Sequence, residues 1–236
     1  MEAEGERNYM TKQANRAFFS TWTPAMAYVF GFWFADGWMS QPNSDPFVAI
    51  VSKDLEHLRR IRQVMGAEQK IYARKDGCQQ LTIGSKQMWH DLRRLGGVPA
   101  KSWAAEMPFV PPLLLRHFTR GYVDGDGWLY WDTSQRPSPK IGMAGRPLFL
   151  AKLADALNEE TGIGIPVIEA YGGETPRIYY GGIRAKVLAK WLYENSDLAL
   201  ERKAAIARAF AAWELSKYGW KSRTVMTSKM RRILEM

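Results

Sequence analysis

Apolar and polar residues along this chain follow helical and strand spacings in an order that occurs twice. An apolar stretch from about Ala25 to Ala35 opens the first copy and ends at Asp36-Gly37. A turn-rich segment, SQPNSDP, follows it, and a strand is predicted over Phe47 to Val51. Leu55, Leu58, Ile61 and Met65 recur at the spacing of one helix face, with Asp54 in the first turn, where an acid suits the helix dipole. Two short strands are predicted near Lys70 to Arg74 and Gln80 to Ile83, joined at Asp76-Gly77, a strong hairpin signal. A helix from about Lys86 to Leu95 stops at Gly96-Gly97.

The second copy begins at RHFTRGYVDGDGWLY, Arg116 to Tyr130, which matches AYVFGFWFADGWM, Ala27 to Met39. The shared skeleton aligns Gly31 with Gly121, Ala35 with Gly125, Asp36 with Asp126, Gly37 with Gly127 and Trp38 with Trp128. Asp126 lies 90 residues after Asp36, a period that suggests duplicated half-domains and not a solenoid. Strands near Leu129 to Asp132 and Lys140 to Met143, a helix from about Leu148 to Gly162, strands around Pro166 to Ala170 and Arg177 to Tyr180, and a helix from about Ala185 to Tyr193 complete the copy. Gly172-Gly173 supplies the turn of its second strand pair, and a last, alanine-rich helix is predicted over about Leu200 to Leu215. The fold class is α+β, with two pseudo-symmetric αββαββα halves. The divisions are an N-terminal extension (residues 1–24), a first half (25–113), a second half (114–215) and a basic tail (216–236).

Gly31 with Ala35, and Gly121 with Gly125, place small residues four apart, on one helix face each. Such faces allow two helix backbones to approach closely, so these two helices are expected to pack on each other. Gly37 and Gly127 then fall where a C-cap glycine belongs. That puts Asp36 and Asp126 at helix C-termini, where the dipole is unfavourable to an anion, and beside each other, where they repel. A divalent cation relieves both problems. Oxygen ligands without Cys or His point to Mg²⁺, with Mn²⁺ or Ca²⁺ able to occupy the same site.

The two segments resemble the signature of the LAGLIDADG homing endonucleases, in the monomeric two-motif form, and the likeness extends over roughly residues 25 to 215. Pro99-Ala100-Lys101-Ser102, Pro108 and Val110-Pro111 resemble the family's link into its second motif, and Leu200-Glu201-Arg202-Lys203 the matching basic segment. The resemblance implies that Asp36 and Asp126 bind the metal, with backbone Ala35 and Gly125 as further candidates. It implies that Lys101 and Lys203 stabilise developing charge. It also implies two antiparallel sheets forming a saddle over a long double-stranded DNA target, cut on both strands to leave short 3′ overhangs. One departure stands out: Phe34 occupies the position of the family's first acid, which Asp124 retains in the second copy. Asp124 is expected to support structure and not to bind metal.

A net charge of +9 predicts a polyanionic partner, nucleic acid first and an anionic membrane surface second. Lys70, Arg74, Lys75, Gln79, Gln80, Lys140 and Arg177 fall on strand segments, and Arg, Lys and Gln read guanine and adenine edges. The faces they occupy stay open at this stage. The segment from Lys217 to Met236 holds six Lys/Arg against one Glu. Lys221 and Arg223 there are DNA-backbone candidates, against the alternative of a solvated end.

One cysteine, Cys78, excludes an intrachain disulfide and a cysteine-based zinc site, and fits a reducing compartment. MEAEGERNYM has no signal-peptide pattern and the longest apolar run is too short for a bilayer. A soluble intracellular monomer without a membrane partner is expected, in the cytoplasm or nucleoid of a bacterium or phage-infected cell, or in an organelle. Ten tryptophans and two carboxylates also suit a carbohydrate-acting enzyme, a reading that leaves the charge unexplained. An intein is disfavoured, because no splicing Cys or terminal Asn is present at the ends. A non-cleaving DNA-binding regulator or an intron RNA maturase is the main alternative on the same scaffold.

Overall fold

The computed structural model describes residues 13–99, 106–134, 137–170, 175–214 and 224–236. Two helices form its centre: α1, Pro24–Asp36, and α4, Pro112–Asp126. Thr23 caps α1, its hydroxyl accepting from Met26 N–H at 3.1 Å, and Pro24 takes the first turn, where no N–H is needed. Every residue of α1 from Met26 to Phe34 is buried, so the body of the helix is apolar all round and lies inside the protein.

The two helices meet backbone to backbone. A Cβ placed on Gly31 would stand 2.0 Å from Phe118 O, and one on Gly121 would stand 2.0 Å from Tyr28 O. The two close approaches exchange under the repeat, since Gly31 and Phe118 correspond to Gly121 and Tyr28. The small-residue faces read from the sequence are therefore the crossing point.

Each central helix runs directly into a sheet. In the first half, β1 (Gly37–Met39), β2 (Phe47–Ser52), β3 (Ile71–Ala73) and β4 (Gln79–Gly84) form an antiparallel sheet in the order β1-β2-β4-β3. Helices α2 (Leu55–Val64) and α3 (Lys86–Arg94) cover one side of it. In the second half, β5 (Gly127–Asp132), β6 (Ser138–Ala144) and β7 (Arg177–Gly181) form the order β5-β6-β7. Helices α5 (Pro147–Thr161), α6 (Ile183–Tyr193) and α7 (Glu201–Ala211) back this sheet. The hairpin at Asp76-Gly77 forms as expected: Gly77 has φ +81° and Asp76 Oδ1 accepts from Cys78 N–H at 3.0 Å. Gly162 closes α5 in the left-handed region, at φ +69°.

Four expectations change. Asp54 is the N-cap of α2, accepting from His57 N–H, and not a first-turn residue. Gly37 and Gly127 are the C-caps as expected, in extended conformation with φ −98° and −100°. They are small for reasons of space: a Cβ would reach Trp33 Cδ1 at 2.1 Å and Val123 O at 2.7 Å. The strand expected over Pro166 to Ala170 shrinks to a single bridge, Glu169 with Arg177. The supposed N-terminal extension is integral from Gln13 onward, since Phe18 and Phe19 are core residues and Asn15 N–H donates to Met65 O. Part of the basic tail is a helix, α8 (Ser228–Glu235), capped by Thr227. Its Met230 and Ile233 are buried, and Lys190 Nζ donates to Leu234 O at 2.9 Å. Lys217, Lys221, Arg223 and the Gly172-Gly173 turn lie outside the described residues.

Candidate functional site

Asp36 and Asp126 are the last residues of α1 and α4, and both are exposed. The helix crossing brings these two ends together. A Cβ on Gly125 would lie 3.4 Å from Asp36 Oδ2 and 2.4 Å from Ala35 Cβ, so the Asp36 carboxylate rests against the end of the other helix. Both acids also act on the same two groups, raising the pKa of the buried Tyr122 hydroxyl and opposing the depression at Lys203. The sequence pairing of the two acids is thus a spatial pairing.

Among the described residues no group of three or more His, Cys, Asp or Glu side chains converges. A site with two carboxylates, and with Ala35 and Gly125 in the adjoining last turns, suits Mg²⁺. That ion is ordinarily held by one or two carboxylates and completed by waters and substrate phosphates.

Lys203 stands close by, but its ammonium is directed elsewhere. The residue is 3% exposed, and Nζ donates to Val123 O at 2.6 Å, Asp124 O at 2.8 Å and Gly127 O at 2.6 Å. Three donors are matched by three carbonyls at the C-terminal end of α4, which corrects the expectation that this lysine faces a phosphate. A cation at that end also complements the helix dipole. Burial lowers its pKa to about 8. Lys203→Met removes all three bonds and is expected to cost about 2 kcal/mol, read by urea denaturation. Unchanged stability would return Lys203 to the reacting centre. Lys101 lies outside the described residues.

Positive charge reaches Asp36 from other residues. A pocket of about 390 Å³ is lined by Asp36, Lys53, Asp54, Cys78, Gly125 and Arg202, among others. Lys53 and Arg202 come from the two halves and are both exposed. Sequence reading missed both. Arg202 does lie in the basic segment that drew attention, one residue before Lys203. Lys53 carried no signal beyond its place between β2 and α2.

Asp124 also borders this pocket, but it is buried and acts as a structural acid. It accepts from Tyr193 Oη at 2.7 Å, Tyr28 Oη at 2.7 Å and Leu200 N–H at 2.8 Å. Burial raises its pKa despite these three donors. Tyr28 in turn meets His57 Nε2 at 2.9 Å, and His57 Nδ1 has no hydrogen-bond partner. Because Tyr28 donates to Asp124, its oxygen accepts from His57, which leaves Nδ1 as the bare nitrogen. The pseudo-equivalent position, Phe34, is purely aromatic, stacked on Phe149 at 5.4 Å and against Phe118 at 5.9 Å.

Burial holds the His57 pKa down at about 4. The unfolded chain therefore takes up this proton first as pH falls below about 6.5, and stability is lost from there down to about 4. Between pH 7 and pH 5 the loss from His57 is expected to be about 2 kcal/mol. His57→Gln should remove that part of the slope in paired urea titrations. An unaltered slope would mean that the imidazole is not buried in neutral form.

Strand register sorts the remaining candidates. On β2 and β4, Val48, Ile50, Leu81 and Ile83 face the helices, while the pairs Ala49–Thr82 and Val51–Gln80 face away. Gln80 is thus on the outer face. Gln79 is paired with Ser52 and Ala73 on the helix side, which corrects its placement as a base reader. Lys70 and Lys75 are exposed beside β3, and Arg74 is tied to Asp76 at 3.0 Å and to Gln80 Oε1 at 2.8 Å. Lys140 and Arg177 share the outer face of the second sheet. There they meet Asp132 at 2.7 Å and Glu169 at 4.0 Å. Among the described residues no helix is long and apolar enough to cross a membrane.

No family model and no curated protein matches the sequence. Solved structures do. The homing endonuclease I-LtrWI bound to target DNA aligns over 90% of this chain and 96% of its own, with TM-score 0.58 and 10% identity. The meganuclease I-CpaMI bound to uncleaved DNA aligns over 81% and 90%, with TM-score 0.55 and 14% identity. Full-length DUF199/WhiA from Thermatoga maritima aligns over 87% of this chain and 68% of its own, with TM-score 0.51 and 14% identity. At these identities the likeness is one of fold.

Proposed function

We propose that this chain, which has the LAGLIDADG homing endonuclease fold in its single-chain form, is a Mg²⁺-dependent endonuclease that cuts both strands of double-stranded DNA at a long site, leaving short 3′ overhangs. The carrying observation is that Asp36 and Asp126 end two abutting helices between two outward-facing sheets. A Mg²⁺ held by Asp36 and Asp126 would supply an activated water and stabilise the leaving oxygen. The protein's own work is placement. The sheets hold the duplex, the helix crossing fixes the two carboxylates, and Lys53 and Arg202 draw a phosphate toward Asp36. Lys203 keeps the end of α4 in register.

The test is incubation of the purified protein with a plasmid library of randomised sites, with Mg²⁺ or with a chelator. Metal-dependent cuts at one long site support the reading. Tight, salt-sensitive binding without cuts in any divalent metal overturns the nuclease and leaves a DNA-binding regulator.

A further inference from the structure

Among the described residues the outer faces of both sheets are aromatic, and Arg74, Lys140 and Arg177 on them are paired with acids. Trp38, Phe47 and Tyr72 share the face of the first sheet, and Trp128, Tyr130 and Tyr179 that of the second. The basic side chains among them are neutralised locally, Arg74 by Asp76, Lys140 by Asp132 and Arg177 by Glu169. Lys140 and Arg177 further lie over the rings of Tyr130 and Tyr179, at 6.0 and 5.8 Å. What these faces offer a ligand is ring surface more than free charge.

Two of the rings are placed by the duplication. Trp38 and Trp128 each follow an acid by two residues, so they flank the point where Asp36 and Asp126 meet. Each is paired across the sheet with a very small residue, Ala49 and Gly142 respectively. A Cβ on Gly142 would stand 2.4 to 2.5 Å from Cε2, Cζ2 and Nε1 of Trp128. Three ring atoms at nearly one distance mean that the indole lies over Gly142, and the residue stays half-buried. Tyr179 braces it edge-on at 5.5 Å. Trp38 is braced in the same way by Phe47 at 4.8 Å, and it is 41% exposed, while Ala49, on the same outer face, is fully buried.

We propose that Trp38 and Trp128 are paired stacking platforms for nucleobases displaced from the duplex beside the two acids, so that the preferred DNA has an unpaired or easily opened centre. A braced ring that stays partly exposed is the form in which aromatics take bases without reading their edges. This rests on the reading of the chain as a DNA-binding protein, and it adds a requirement on the state of the central bases that cleavage does not demand.

The experiment compares binding, in chelator so that nothing is cut, of one fluorescent duplex and of the same duplex carrying a short central run of mismatches. The wild type is expected to bind the mismatched duplex about tenfold more tightly, as stacking of displaced bases allows. Trp38→Leu and Trp128→Leu together abolish that preference, bringing the ratio of the two affinities to about one. Trp38→Phe, which keeps a ring and the fold, retains a reduced preference. Equal affinity of the wild type for both duplexes overturns the proposal, as does a preference that survives in the double variant. A chain that binds neither duplex instead overturns the DNA reading itself.

Discussion

Gly121→Ala is expected to lower the melting temperature by about 4 to 8 °C, although alanine is the better helix former by about 1 kcal/mol. The added methyl would stand 2.0 Å from Tyr28 O, on a backbone that has no side-chain freedom with which to retreat. The two helices must separate, which loosens the aromatic packing between Phe30, Phe34 and Phe118. Overpacking of this kind costs about 3 kcal/mol, well beyond the gain in propensity. Gly31→Ala meets Phe118 O at the same distance and is expected to cost a similar amount. The double variant should cost less than the sum, because the first methyl already opens the crossing for the second. Thermal melts of the three variants check this. A melting temperature that rises in either single variant would show that the backbones are not in contact there.

Asp36→Asn and Asp126→Asn are expected to move activity and stability in opposite directions. Each is predicted to reduce cleavage by on the order of 10³-fold, the scale on which loss of one charge-stabilising group acts. Neither should weaken the fold. A carboxylate at a helix C-terminus is unfavourable by about 0.3 to 1 kcal/mol, and each acid also repels the other, so the melting temperature should hold or rise. Cleavage assays with Mg²⁺, set beside melts of the same preparations, separate the two roles. A variant that cuts as well as the wild type removes its acid from the site, and one that melts much earlier makes the acid structural.

Most of the plan was readable because it rests on spacing. The periodic face of α2, the Asp76-Gly77 hairpin and the Gly31/Gly121 pair are local patterns with a physical cause. Strand β1 was not readable: Gly37-Trp38-Met39 follows a helix with no turn between them, and three residues are too few to show alternation. Sheet faces were not readable either, since Gln79 and Gln80 look alike in sequence and a single residue changes the side. The role of Lys203 was hidden because its partners, Val123, Asp124 and Gly127, lie on a different helix end, far back in the chain. Burial of a lysine is also uncommon enough that sequence favours the opposite guess. Lys53 and Arg202 meet only through the tertiary fold, and no local pattern could have joined them.

The unlike pair Phe34 and Asp124 bears on the ancestry and the engineering of this chain. A symmetric dimer of first halves would set the Tyr28 hydroxyl opposite Phe34, with His57 Nε2 as its remaining partner. A dimer of second halves would set Asp124 opposite Phe118 and remove the Tyr28 donor, leaving Tyr193 and the Leu200 N–H. Each half is thus fitted to the other, and a homodimer of either would lose the Tyr28–Asp124 hydrogen bond. Chimeras that exchange halves with another single-chain protein of this fold must therefore move Tyr28 and Asp124 as a unit, with His57 and Tyr193 alongside them.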